Sequence, residues 1–281
     1  MRGFTIVFGI LISVILTGLS VFAETEGAIV GRVGCPECVN DGSPIARSLQ
    51  RVDELYGSFK AREAQRELLK VLQLDPQNAE ALSKLARVHI DFGDMIAESS
   101  PDWQEKRLAE YRTAEEYARK AVKANPKSTW GHFYVAASLG NIAAVSPVAK
   151  QIDLADEIRG SIEKAIALDP QNGFAYHAYG VWHRKLAEIG QMRRMLAAVF
   201  YSSSLPQGSF TKSVDYLKKA VALNPTVIIS RLELARSYVA VENWLQARNL
   251  LQLVRDLPIQ FSDDPQHKQK AKQLLEEIKG R

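Results

Sequence analysis

Apolar side chains recur along the chain with a helical period. Leu68, Val71 and Leu72 lie three and four apart, as do Ala118, Ala121 and Val122, then Ile162, Ala165 and Ile166, then Leu217, Ala220 and Val221. An i, i+3, i+4 spacing puts each trio on one face of an amphipathic helix. Each stripe stops at a short polar phrase with proline at its centre: Leu74-Asp75-Pro76-Gln77-Asn78, Ala124-Asn125-Pro126-Lys127-Ser128, Leu168-Asp169-Pro170-Gln171-Asn172 and Leu223-Asn224-Pro225. Proline has no amide hydrogen to continue a helix and disfavours helical backbone in the residue before it, so each phrase reads as helix, tight turn, helix. Nine residues after the prolines stand Leu85, Val135, Tyr179 and Leu234, and ten after them the small residues Ala86, Ala136, Gly180 and Ala235. A small residue at a fixed place lets two helices approach closely. Strand-type alternation is absent from the body of the chain, so the predicted fold is an all-α solenoid of stacked helical hairpins.

These positions resemble the tetratricopeptide repeat, whose pattern combines a small residue, an aromatic, several alanines and a terminal proline. Ala86, Tyr238, Ala121, Ala165 and Ala220 match it. The prolines stand 50, 44 and 55 residues apart, against about 34 in the standard repeat. Helices are therefore lengthened or loops inserted, and Asp94 to Pro101, Ser146 to Ile152 and Gln191 to Gly208 are the expected insertions. The architecture expected over residues 47–281 is a tetratricopeptide-type α-solenoid of about five elongated hairpins plus a C-terminal helix. The order of features is similar to the regulator of microtubule dynamics family. Asp53-Glu54-Leu55-Tyr56, Leu85-Ala86-Arg87, Ala178 to Trp182, Met195 through Pro206, Lys218-Lys219-Ala220 and Asp264 to Leu275 carry that resemblance over about residues 50 to 278. It implies the fold. In animals such proteins are linked to microtubules and membrane contact sites, but the resemblance does not carry the partner over.

The N-terminus changes the picture. Arg2 precedes an uncharged, mostly apolar run from Gly3 to Ala23 that ends in Val21-Phe22-Ala23 ahead of Glu24 and Glu26. A basic start, an apolar centre and a small-x-small end make a secretory signal peptide, residues 1–23, with cleavage expected after Ala23 and an exported, periplasmic or extracellular chain as the product. An uncleaved membrane anchor is the alternative, because about 20 apolar residues also span a bilayer. Residues 24–46 read as a linker holding the two cysteines of the chain, Cys35 and Cys38. In an oxidising compartment this CxxC pair is a possible local disulfide or an idle pair of thiols. Metal binding with a partner and redox chemistry remain open alternatives, although the motif lacks the βαβ setting that a thioredoxin-like dithiol needs.

A net charge of +4 from 36 basic and 32 acidic side chains is small and unclustered, which argues against nucleic acid as a partner. No HExxH, GxSxG, Walker-type loop or GxGxxG occurs, so no catalytic residue, resident metal or cofactor is expected. His89 and His183, thirteen residues after their prolines, read as core histidines, and the acidic pairs Glu115-Glu116, Asp263-Asp264 and Glu276-Glu277 as solvated helix ends. The concave wall of a solenoid comes from the first helix of each hairpin. Offsets of 4, 7, 11, 14 and 15 from the prolines project Arg87, Trp130, Phe133, Asn141, Phe174, His177, Arg184, Lys185, Leu232 and Arg236 onto it. Such a mixture of rings and cations suits an extended protein or peptide partner with an acidic end; the competing reading packs several of the rings beneath the insertions. The Met-rich segment from Gln191 to Gly208, with Arg193-Arg194, reads either as an element touching lipid or as an extended helix capping the solenoid. A non-enzymatic protein-interaction scaffold is the leading function, and binding or transfer of a lipid or other hydrophobic ligand the second.

Overall fold

A computed structural model describes residues 42–190 and 205–281. The expected signal peptide, Cys35 and Cys38, and the segment 191–204 with Met192, Met195, Arg193 and Arg194 lie outside the described residues. Among the described residues eleven helices follow one another and there is no strand. They pair into five hairpins: α1 (Pro44–Gly57) with α2 (Ala61–Leu74), α3 (Ala79–Asp94) with α4 (Trp103–Ala124), α5 (Thr129–Ala144) with α6 (Val148–Leu168), α7 (Gly173–Ala187) with α8 (Phe210–Leu223), and α9 (Ile228–Ala240) with α10 (Trp244–Val254). A last helix, α11 (Asp264–Glu277), follows. Helix begins at Pro44 behind the cap Ser43, whose hydroxyl accepts from the Ala46 amide, so residues 44–46 are helical rather than linker.

The proline phrases work as turn and cap together. Backbone bonds from Asn78 to Asp75, Ser128 to Asn125, Asn172 to Asp169 and Val227 to Asn224 close four tight turns, with proline in the second position of each. Within the turns, Asp75, Asn125 and Asp169 accept through their side chains from the amides of Gln77, Lys127 and Gln171 at 3.1, 3.0 and 2.8 Å. Asn78, Ser128 and Asn172 then cap the next helix by accepting from Ala81, Gly131 and Ala175 at 2.9, 3.0 and 3.0 Å. Val227 offers no such side chain and is buried instead.

The stripes meet where the pattern places them. Leu68, Val71, Leu85, Ala118, Ala121, Ala165, Leu217 and Ala220 are fully buried, and a buried Leu contributes roughly 1.5–3 kcal/mol through the hydrophobic effect. The small-residue position works by contact: a Cβ added to Gly180 would stand 2.5 Å from Leu217 Cγ and 3.1 Å from the Ser213 carbonyl oxygen. Ser213 Oγ uses that closeness to donate to the Gly180 carbonyl at 2.7 Å, joining α7 to α8.

Between Pro76 and Pro126 and between Pro126 and Pro170 the extra length is mostly helix, whereas the span from Pro170 to Pro225 gains its length between Ala187 and Phe210. α4 and α6 run for 22 and 21 residues against 14 in α2. Asp94 to Pro101 is a connection between α3 and α4, as read from the sequence. Ser146 to Ile152 is not a loop, because α6 already starts at Val148. The array also bends far enough for its ends to meet. Phe261, fully buried ahead of α11, lines a small cavity with Gln260 and Ser262, and the opposite side of that cavity is Tyr56, Arg87 and Asp91 from the first two hairpins.

Candidate functional site

The first helices of the hairpins form the wall on which the sequence places its binding residues, and they are covered far more completely than a bare groove would be. α7 buries every residue except Ala187. Of the projected residues, Arg87, Phe133, Asn141, Phe174, His177, Arg184, Lys185 and Leu232 are buried, and Trp130 and Arg236 are half-buried. Most of the projected positions are therefore closed off from solvent. Return of the C-terminal segment puts Gln260, Phe261 and Ser262 across a small cavity from Arg87.

Three aromatic residues come together as projected. Trp130 packs edge-on to Phe133 at 5.7 Å between ring centres and lies 5.9 Å from Phe174 on the neighbouring hairpin, an arrangement in which quadrupoles favour tilted and edge contacts. His177 accepts from or donates to Ser230 through Nδ1 at 3.1 Å, a link from α7 to α9. Arg87 lies over the Tyr56 ring at 3.7 Å and 3.9 Å from Asp91. Asn141 Nδ2 has no hydrogen-bond partner among the described residues.

The cations converge on a carboxylate that sequence reasoning passed over. Glu233, buried in α9, accepts from Arg184 and from Arg236, while Arg184 also donates to Glu188. Lys185 Nζ stands 3.9 Å from Glu188. Burial alone would raise the Glu233 carboxyl, but Arg184, Arg236 and Lys185 hold it well below the usual carboxylate range. Burial, reinforced by Arg184, lowers Lys185 to about 8. An incoming carboxylate at this place would have to displace Glu233 or Glu188. Only the spacing of Glu233 eight residues after Pro225, on the same helix as Arg236, could have signalled it.

Of the two histidines expected in the core, His89 is held by Glu110 at 2.7 Å on Nδ1 and by Gln65 at 3.3 Å on Nε2. His183 stacks on Tyr216 at 5.5 Å, its Nδ1 has no hydrogen-bond partner among the described residues, and burial with Lys212 nearby lowers it to about 4.

One acidic pair departs from its reading as a solvated helix end. Asp264 is fully buried, Asp263 has only 13% of its side chain exposed, and His267 one turn on is 3% exposed. Burial, with Asp94 and Asp264 nearby, pushes Asp263 up to about 8, and burial, partly opposed by Arg87, pushes Asp91 up to about 7. Among the described residues no helix is long and apolar enough to cross a membrane.

Known proteins place this geometry in a family. Over 82% of this chain and 99% of the other, the fold superposes on a thermophilic tetratricopeptide-repeat protein of Thermus thermophilus with a TM-score of 0.59 at 16% identity, a likeness of fold alone. The chain is 27% identical over 232 residues to regulator of microtubule dynamics protein 1 of Bos taurus, a match covering 82% of this chain and 71% of that protein. Against regulator of microtubule dynamics protein 3 of Xenopus laevis it is 28% identical over 81% of this chain and 48% of the relative, so the match spans about half of that longer protein. Against the human protein 1 the match spans 60% of the relative. The family model described as Regulator of microtubule dynamics protein 1-3 matches residues 48–279, most of the chain, and the protein belongs to that family.

Proposed function

We propose that the protein is a non-enzymatic scaffold that holds a protein or peptide partner against the first helices of its hairpins. The observation that carries the reading is the aromatic run Phe133, Trp130 and Phe174, continuous across α5 and α7 and reaching solvent at Trp130. Trp and Arg at a partly covered wall are the side chains that dominate interface energetics, and Arg236, half-buried beside Glu233, supplies the cation. The test begins with a partner isolated from the native envelope, purified and titrated against the full chain. Trp130→Ala and Arg236→Ala should each weaken it by about tenfold or more, with helical content unchanged. Parental affinity in both variants overturns the wall as the binding surface.

Export belongs to the same proposal and rests on the apolar run from Gly3 to Ala23. The relatives' printed role in microtubule dynamics would make tubulin a partner, which an exported chain would not meet; co-sedimentation with purified tubulin decides that arm.

A second reading, carriage of a hydrophobic ligand, is favoured by an apolar cavity of about 50 Å³ between α5, α6 and α7, lined by Ala136, Ile152, Ala155, Trp182 and Leu186. Native mass spectrometry of the gently purified chain distinguishes the two, since a carrier retains a small apolar adduct and a scaffold does not.

A further inference from the structure

The start of α11 packs beside α3 with more carboxylate than its surroundings neutralise. Asp263 and Asp264 stand at the first positions of the helix, where acidic side chains ordinarily cap free amides. Capping does not account for them. Asp263 makes no side-chain hydrogen bond to the helix, and neither of its oxygens has a hydrogen-bond partner among the described residues. Asp264 uses Oδ2 to accept from the amides of Gln260 and Phe261 at 2.8 and 2.9 Å, and its Oδ1 has no such partner. His267 places Nε2 3.3 Å from Asp263 Oδ2 and Nδ1 3.9 Å from Asp264 Oδ1. One ligand atom from each of the three residues falls within 4.8 Å of the others.

An independent observation comes from the other end of the array. Asp91 of α3, 4% exposed, keeps Oδ1 without a hydrogen-bond partner, and it lines the same small cavity as Gln260, whose Oε1 is likewise buried and unbonded. Of the nearby cations, Arg87 is stacked on Tyr56 and stands 3.9 Å from Asp91 Oδ2, beyond hydrogen-bond reach, and Lys268 donates to the carbonyls of Arg255 and Leu257. Buried carboxylates in this number call for a compensating positive charge.

We infer that the junction of α11 with α3 binds a divalent metal ion of the manganese–zinc class, ligated by Asp263, Asp264 and His267, beside the small cavity that Asp91 and Gln260 line. The donor set selects the class. An imidazole favours zinc and its neighbours over magnesium and calcium, and paired carboxylate oxygens extend the range to manganese. The ion braces the start of the last helix, and the inference stands apart from the scaffold reading.

The test uses the full chain carrying Cys35→Ser and Cys38→Ser, so that thiols contribute no ligand, stripped with chelator and dialysed. Zinc and manganese are titrated calorimetrically, and cobalt serves as a visible-absorption reporter of imidazole ligation. The expected result is one equivalent bound per chain, a higher unfolding temperature with metal, and an affinity loss of about 100-fold or more in His267→Ala, since even outer-shell partners are worth 10–100-fold. Asp263→Asn, at a side chain that accepts no hydrogen bond among the described residues and stands 3.3 Å from His267, gives the same loss in a variant that keeps its structure should His267→Ala not fold. No stoichiometric binding, binding confined to magnesium or calcium, or zinc binding unchanged in Asp263→Asn would each overturn the inference.

Discussion

Arg184 of α7 and Glu233 of α9 form an ion pair with both side chains buried, joining the fourth hairpin to the fifth. A buried pair is weak evidence of net stabilisation, but removing one member leaves a desolvated charge. Glu233→Ala should therefore cost about 3–5 kcal/mol in denaturant unfolding. Replacing the pair by Arg184→Met with Glu233→Leu should restore most of that loss. The folded Glu233 carboxyl is held below its ordinary 4.5. Its contribution is fully present above that pH and disappears as pH falls through the lower folded value. A double variant as unstable as Glu233→Ala would show that shape, rather than charge compensation, makes this joint.

Gly180 tests the close approach of α7 and α8. The added Cβ of Gly180→Ala meets Leu217 at 2.5 Å and a backbone oxygen at 3.1 Å. Leu217 can move, but the backbone of Ser213 cannot, so a loss of about 1–3 kcal/mol is expected, the range for overpacking. Combining it with Leu217→Ala should recover part of the clash, giving a cycle whose coupling is favourable by at least about 0.5 kcal/mol. Strict additivity would place the strain elsewhere.

His183 supplies a pH dependence of known sign. In the fold it stays neutral down to about 4, whereas the unfolded side chain takes up its proton near 6.5. The unfolded state binds more protons between those values, so stability must fall as pH drops from 6.5 toward 4. His183→Phe retains an aromatic ring against Tyr179 and Tyr216 and removes the titration. The difference between variant and parent in chemical denaturation should thus grow in favour of the variant over that window. A pH-independent difference would mean that the folded imidazole is not held neutral.

The solenoid was legible because proline, cap and small residue each act within a few residues of the chain. Asp75, Pro76 and Asn78 determine a turn and the next helix start locally, and Gly180 needs only the adjacent hairpin. The wall was less legible. A helical projection tells that Arg184 and Phe174 share the inner side, but not that Glu233, on a later hairpin, reaches Arg184 first. Asp263 and Asp264 look like solvated helix-start acids at short range, and only the return of the chain onto α3 buries them. That closure depends on accumulated curvature over five hairpins, which no short window of sequence contains.

The return itself rests on Phe261, which is fully buried immediately before α11 and lines the cavity shared with Tyr56 and Arg87. Removing a buried Phe side chain costs about 3–5 kcal/mol. Here the loss should fall first on docking of the C-terminal segment, because the five earlier hairpins keep their own apolar stripes. Phe261→Ala is expected to raise amide exchange selectively across residues 257–280 and to open the Asp256–Ser262 connection to protease. Amides of α5 and α6 should remain protected, since Trp182 Nε1 still donates to the Ala155 carbonyl at 3.1 Å between α7 and α6. Uniform loss of protection along the whole array would show instead that the end contact stabilises the solenoid as one cooperative unit, so that α11 cannot detach without melting the hairpins it covers.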